Sequence, residues 1–244
     1  MSKLIVANWK MYLSPKNSVE LFGAVGKKGE VVICPSFAAL NQLSTLAKKS
    51  GIGLGAQDCF WTNRGAYTGE ISPVDLKEIG CEYVIVGHSE RRGYFQETDE
   101  MVGKKVKAAL ATGLIPILCV GENEFERKKG KAATHVVEQL KKTLTGLGKL
   151  RAGQEIIIAY EPVWAIGTGK ACDPETAVEM HQLIKEKVAE LIGVKNVRVL
   201  YGGSVNDKNI ASYLEYAEID GALVGGASTK KDIFASLLSI ASKF

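Results

Sequence analysis

Glu161, His88 and Lys10 are the residues of this 244-residue chain whose types and places could do chemistry together. Glu161 follows Glu155-Ile156-Ile157-Ile158-Ala159-Tyr160, an apolar, β-branched run that reads as a buried strand. A carboxylate half out of water at a strand end is a candidate for proton transfer. Pro162 stiffens the exit from that strand. Val163, Trp164 and Ile166 then form an apolar segment that Gly167 and Gly169 loosen, which reads as a lid over 162–172 that excludes water. The plainer reading is a strand-to-helix connection whose Trp packs on a neighbouring helix. His88 lies just beyond the strand-like Tyr83-Val84-Ile85-Val86. A helix opening there would set its dipole against an imidazolium, leaving a neutral ring that can donate to a carbonyl and shuttle a proton. A surface histidine is the alternative. Lys10 directly follows the first strand-like run; in a barrel mouth it needs an anionic partner, and Glu90 is the candidate, for it or for Asn8.

Two glycine-rich turns add a second kind of chemistry. Tyr201-Gly202-Gly203-Ser204-Val205 and Val224-Gly225-Gly226-Ala227-Ser228 end apolar runs and offer backbone N–H groups to an anion such as phosphate. Either alone could be a tight turn. Neither has the spacing of a dinucleotide or P-loop motif, so nucleotide binding is not implied.

These groups need elements to hold them. Strand-like runs recur at Leu4–Ala7, Val31–Cys34, Ile52–Ala56, Tyr83–Val86, Leu114–Val120, Ile156–Tyr160, Val197–Tyr201 and Ile219–Val224. Between them lie amphipathic, Lys/Glu-rich stretches such as Val102–Ala111, Ala132–Leu147 and Pro174–Leu191, the last with Asp173 as N-cap. Strand–helix alternation implies parallel pairing with right-handed crossovers. About eight such units fit either a closed (β/α)8 barrel or a doubly wound sheet. Polar or glycine-rich clusters follow the first, fourth, sixth, seventh and eighth strands, and these meet at one site only if the sheet closes. With no linker or composition break, one domain over 1–244 is the economical expectation.

Composition narrows the class further. At 46% hydrophobic and 24% charged, the chain has the make-up of a folded globular protein. The net charge of +4 is dispersed, with no basic stripe interleaved with aromatics, which argues against nucleic acid as partner. No apolar run reaches the length of a membrane span, and the first residues are too short an apolar run for a signal peptide. Five widely spaced cysteines without Cys-x-x-Cys suggest reduced thiols in a cytoplasmic setting. Three histidines, none at ligand spacing, offer little to a metal.

Together, Asn8-Trp9-Lys10-Met11, Gly65-Ala66-Tyr67-Thr68-Gly69-Glu70-Ile71-Ser72, Gly87-His88-Ser89-Glu90-Arg91-Arg92, Ala159 through Lys170 and the two glycine turns resemble the triosephosphate isomerases, in order and from end to end. The resemblance implies an enzyme of glycolysis and gluconeogenesis that interconverts dihydroxyacetone phosphate and D-glyceraldehyde 3-phosphate through an enediolate, without metal or organic cofactor. It makes Glu161 the base, neutral His88 the electrophile and relay, and Lys10 and Asn8 substrate ligands, with Glu90 supporting the lysine. Gly167, Ser204, Gly225 and Gly226 would hold the phosphate under a closing lid, a motion this family itself commonly illustrates. The segment 57–72 resembles the loop by which one subunit reaches its partner, implying a homodimer with Tyr67 and Thr68 at the interface.

Some positions depart from the pattern. Tyr12 stands where the family usually has Asn, the first helix is short, Cys34 precedes Pro35-Ser36, and Lys170-Ala171-Cys172 varies the expected lid hinge. These bear on dimer strength and lid kinetics. Two rivals remain at this stage: a Schiff-base aldolase with Lys10 as nucleophile, and a barrel that only binds phosphorylated metabolites. Lys10, His88 and Glu161 together speak against a mere binder, which has no use for a base above a carbon chain.

Overall fold

The computed structural model describes residues 2–26, 28–167 and 171–244. Lid residues 168–170 therefore lie outside the described part. Eight parallel strands pair in sequence order, and the eighth returns to the first, closing a barrel. They are β1 (Leu4–Asn8), β2 (Glu30–Cys34), β3 (Gly53–Ala56), β4 (Tyr83–Val86), β5 (Ile115–Val120), β6 (Ile157–Tyr160), β7 (Arg198–Tyr201) and β8 (Gly221–Val224). The doubly wound alternative is thereby excluded. The helices are α1 (Pro15–Ala24), α2 (Phe37–Ser50), α3 (Pro73–Ile79), α4 (Ser89–Tyr94), α5 (Asp99–Ala111), α6 (Glu124–Lys128), α7 (Ala132–Leu144), α8 (Pro174–Ile192), α9 (Ile210–Leu214) and α10 (Lys231–Ala241). Two 3₁₀ turns, Val163–Ala165 and Gly226–Thr229, follow β6 and β8.

Local chemistry sets the helix ends. Ser14, Ser72 and Asp173 accept from backbone N–H groups of the first turn, each with proline at the next position, where a missing N–H costs nothing. Thr98 caps α5 in the same way, so that helix begins three residues before the periodic run expected from Val102. The α7 helix stops at Leu144 rather than Leu147, because Thr145 turns extended and Gly146 takes a left-handed φ of 95°. No helix of the described residues is long and apolar enough to cross a membrane.

Strand parity decides what faces the barrel axis. Successive side chains of a strand point to opposite faces. Leu4, Val6, Val32, Ile85, Ile117, Cys119, Ile157, Ala159, Leu200 and Leu223 form the inner cluster. Their neighbours Ile5, Ala7, Val84, Val86, Ile158, Tyr160, Val199 and Val224 join the larger layer between strands and helices. Each fully buried aliphatic side chain contributes about 1.5–3 kcal/mol from area removed from water. Carried two residues further, the inner rows of β1 and β6 arrive at Asn8 and Glu161. The same count in β5, β7 and β8 arrives at Gly121, Gly202 and Gly225.

Candidate active site

Asn8, Lys10, His88, Glu90, Glu161, Gly167, Ser204, Gly225 and Gly226 line one cavity of about 990 Å³ at the C-terminal ends of the strands. Residues separated by more than two hundred positions thus share one mouth, as the clusters after five strands required.

Lys10 leaves β1 in a left-handed conformation, φ 50°, rare outside glycine and costing on the order of 1–3 kcal/mol. Its surroundings hold it there. Its N–H donates to Asn8 Oδ1 at 3.0 Å, and its carbonyl accepts from Gln57 Nε2 at 2.8 Å. The side chain then runs past Gly225, where a Cβ would stand 3.2 Å from Lys10 Cε. Its Nζ meets Glu90 Oε1 at 2.6 Å, so the carboxylate partner expected for Lys10 is in place.

His88 is the N-cap of α4, and its Nδ1 accepts from the Glu90 N–H at 3.2 Å. With Nδ1 turned to that N–H, Nε2 is the ring nitrogen that faces the cavity. Nε2 points at Glu161 Oε1, 3.0 Å away. The second oxygen of Glu161 accepts from the Ser89 N–H at 2.8 Å. Both side chains are buried, 6% and 2% exposed, so their approach is little screened by water.

Glycines make room for Glu161, one for its backbone and one for its side chain. A Cβ on Gly121 would lie 1.6 Å from the Glu161 carbonyl oxygen, and one on Gly202 would lie 3.0 Å from Glu161 Cγ. The inward row of those two strands therefore ends in hydrogen so that the row of β6 can end in an acid.

The segment after Glu161 is tied down at both described ends. Trp164 Nε1 donates to Glu122 Oε1 at 2.8 Å, Tyr160 Oη reaches the same carboxylate at 3.1 Å, and the Arg127 guanidinium lies 4.5 Å from the Trp164 ring centre. Beyond the undescribed residues, the Cys172 N–H donates to Tyr201 Oη at 3.2 Å, and Tyr213 Oη donates to the Cys172 carbonyl. Burial pushes the Cys172 thiol up to about 12 and holds the Tyr201 phenol far above its ordinary value, so both stay protonated and uncharged. Ser204 Oγ donates to the Ala165 carbonyl at 2.6 Å, linking the first glycine turn to the segment. Gly167 takes a φ of 71°.

Three contributors escaped the sequence reading. In the sequence Gln57 only starts a long loop, yet its amide bridges the Lys10 and Cys34 carbonyls. Glu122 is fully buried under Trp164. It follows β5, so the rule that singled out polar residues at the ends of other strands would have found it. Gly121 beside it carries its signal only in packing. Tyr67 and Thr68, placed by the resemblance at an interface, stand apart from the cavity and exposed, with the Tyr67 ring 4.5 Å from that of Phe60.

A family model described as triosephosphate isomerase matches residues 3–241. A triosephosphate isomerase of Dictyoglomus thermophilum is 49% identical over 246 residues, covering 97% of this chain and 98% of the relative. One of Caldanaerobacter subterraneus subsp. tengcongensis is 47% identical over 244 residues, with 97% and 98% covered. One of Lactobacillus delbrueckii subsp. lactis is 46% identical over 245 residues, with 97% of each covered. Sharing a barrel alone would not fix an activity, since this fold hosts many. Matched almost from end to end, and with these side chains at one mouth, the chain belongs to the triosephosphate isomerase family.

Proposed function

We propose that this isomerase interconverts dihydroxyacetone phosphate and D-glyceraldehyde 3-phosphate through an enediolate. The observation that carries the reading is the 3.0 Å approach of His88 Nε2 to Glu161 Oε1 in a cavity that Lys10 shares. Glu161 takes the proton from the carbon next to the carbonyl and returns it to the neighbouring carbon. Neutral His88 donates Nε2–H to the carbonyl oxygen and then relays a proton between the two oxygens. For this, substrate displaces the present His88–Glu161 contact, freeing the donor for the carbonyl and the carboxylate for the carbon. The Lys10 ammonium, with Asn8 beside it, binds substrate and offsets negative charge as it grows on the enediolate. Glu90 keeps the ammonium on station at 2.6 Å. The glycine turns at Ser204 and at Gly225-Gly226, with Gly167 from above, hold the phosphate. Closure of the 162–172 lid keeps water from the enediolate, where it would promote loss of phosphate.

We also propose a homodimer formed through 57–72. Met11 and Tyr12, directly after Lys10, are 93% and 65% exposed, and Tyr94 and Phe95 near His88 are 81% and 66% exposed. Large apolar side chains beside a catalytic lysine form a surface that a partner's Tyr67–Thr68 tip would cover.

A coupled assay with D-glyceraldehyde 3-phosphate tests the reaction. Turnover inhibited by a phosphoglycolate-type anion is expected, with no covalent adduct after borohydride. An adduct on Lys10 would replace the isomerase reading by the aldolase one.

A further inference from the structure

Lys10 and the His88–Glu90 pair reach the site from different strands, and the structure holds them together by a ring of contacts that runs from the cavity round through the root of the 57–72 loop. Lys10 Nζ bonds Glu90. The next residue, Arg91, places Nε 2.9 Å from Asp58 Oδ2. The residue before Asp58 is Gln57, whose amide holds the Lys10 carbonyl. We propose that Gln57 and Asp58 are positioning residues for the reaction. Gln57 holds the strained backbone of Lys10, Asp58 holds the start of α4, and the dipeptide at the root of the 57–72 loop sets the spacing between the site's two halves.

The chemistry around Asp58 favours positioning over stabilisation. Its carboxylate meets Lys105 Nζ at 2.8 and 2.7 Å, and Glu97 Oε1 meets Lys105 Nζ and Arg91 Nε at 2.5 and 2.6 Å. Asp58, Glu97 and Lys105 are buried, and two cations balance two anions. Burial raises the Asp58 carboxyl to about 6 in spite of both cations. Taking such a cluster out of water consumes most of its attraction, and similar clusters are poor sources of net stability. What it does here is join the loop root, α4, the 95–98 turn and α5. Arg91 in turn donates its N–H to the His88 carbonyl at 2.9 Å, so the cluster reaches the cap that orients the imidazole. At the other end, the Phe60 N–H donates to the Ile71 carbonyl at 2.8 Å and closes the loop just beyond Asp58. Gln57 makes two bonds, to Lys10 and Cys34, and neither is replaced by a side chain of its length without a donor.

The inference rests on the isomerase reading, and a double-mutant cycle tests it. Gln57→Met keeps length and removes the donor. In the wild-type background it should lower kcat/KM by about 10–100-fold, the scale of an ångström's misplacement. In a Lys10→Met background the same change should cost less than about two-fold, since the group through which it acts is gone. Equal loss in both backgrounds would show a merely structural role and overturn the proposal, as would no loss in either. Asp58→Asn should lower kcat while leaving inhibition by inorganic phosphate unchanged; a parallel loss of phosphate affinity would overturn its part. A crystal structure of Gln57→Met gives a readout independent of the reaction. Lys10 should leave the left-handed region, and Lys10 still at φ near 50° with Nζ on Glu90 would overturn the proposal whatever the substrate is.

Discussion

Glu161 shows how little separates a structural side chain from a reactive one. Its place is the next step of an apolar row, its neighbours on the adjacent strands are glycines, and its oxygens face an imidazole nitrogen and a backbone N–H. Glu161→Gln keeps the shape and removes the base, so kcat should fall by about 10²–10⁴-fold or more while phosphate-ester binding survives. Steady-state kinetics with an inhibition series separates the two, and unchanged turnover would remove the assignment. Gly202→Ala tests the room left for that carboxylate. With its Cβ 3.0 Å from Glu161 Cγ and from the Tyr160 carbonyl, the methyl must push one of them. A loss in kcat with a small change in melting temperature is expected; an equal rate would mean that the carboxylate is free to shift.

At the scale of elements, the segment after β6 is held by Glu122 before the undescribed residues and by Tyr201 and Tyr213 after them. In the proposed closure the segment would move between these anchors and bend at Gly167, whose φ is 71°. Proline cannot take that φ, so Gly167→Pro should weaken a transition-state analogue more than it weakens substrate. Equal weakening of both, in paired Ki and KM measurements, would count against closure as a source of differential binding. Much of this level was legible in the sequence. β-branched runs gave the strands, and Asp173-Pro174 gave the start of α8 to the residue. The meeting of Lys10, His88 and Glu161 was legible because each lies within three residues of the end of an apolar run. Helix ends were less so: the same residue type starts α5 at Thr98 and ends α7 at Thr145. Gln57 and Gly121 were hidden because their work is done on partners 23 to 47 positions away in the chain, and one sequence does not display such pairs.

For the whole molecule, the exposed apolar side chains around Lys10 lead to the expectation of a dimer in sedimentation at micromolar concentration. A fully active monomer would mean that the reading of 57–72 is mistaken. Stability should also depend on pH through His181. This ring is fully buried in α8, where the Glu218 backbone favours its proton only weakly against burial. Burial lowers its pKa from 6.5 to about 3. A histidine depressed in the folded state supports the fold above its unfolded value and loses that support as pH falls from about 6.5 toward 3. Between pH 7.5 and 5 the loss should be about 2 kcal/mol, at about 1.4 kcal/mol per unit. Denaturant melts of His181→Phe should show a smaller drop over the same interval; an identical drop would place the acid sensitivity elsewhere.

The alternation that turns Ile157 and Ala159 inward has a consequence for what this gene can tolerate. Removing the Ile158 codon would rotate the acid out of the mouth and into the helix layer, while Tyr160 turned inward at the level of Ala159. Trimming a codon from the α7–β6 connection, where Thr145–Gln154 follows the surface, leaves that phase untouched. A deletion scan along the chain should therefore show abrupt loss of growth-supporting activity inside β6 and near-indifference a few codons upstream, tracing the barrel's phase without any coordinates.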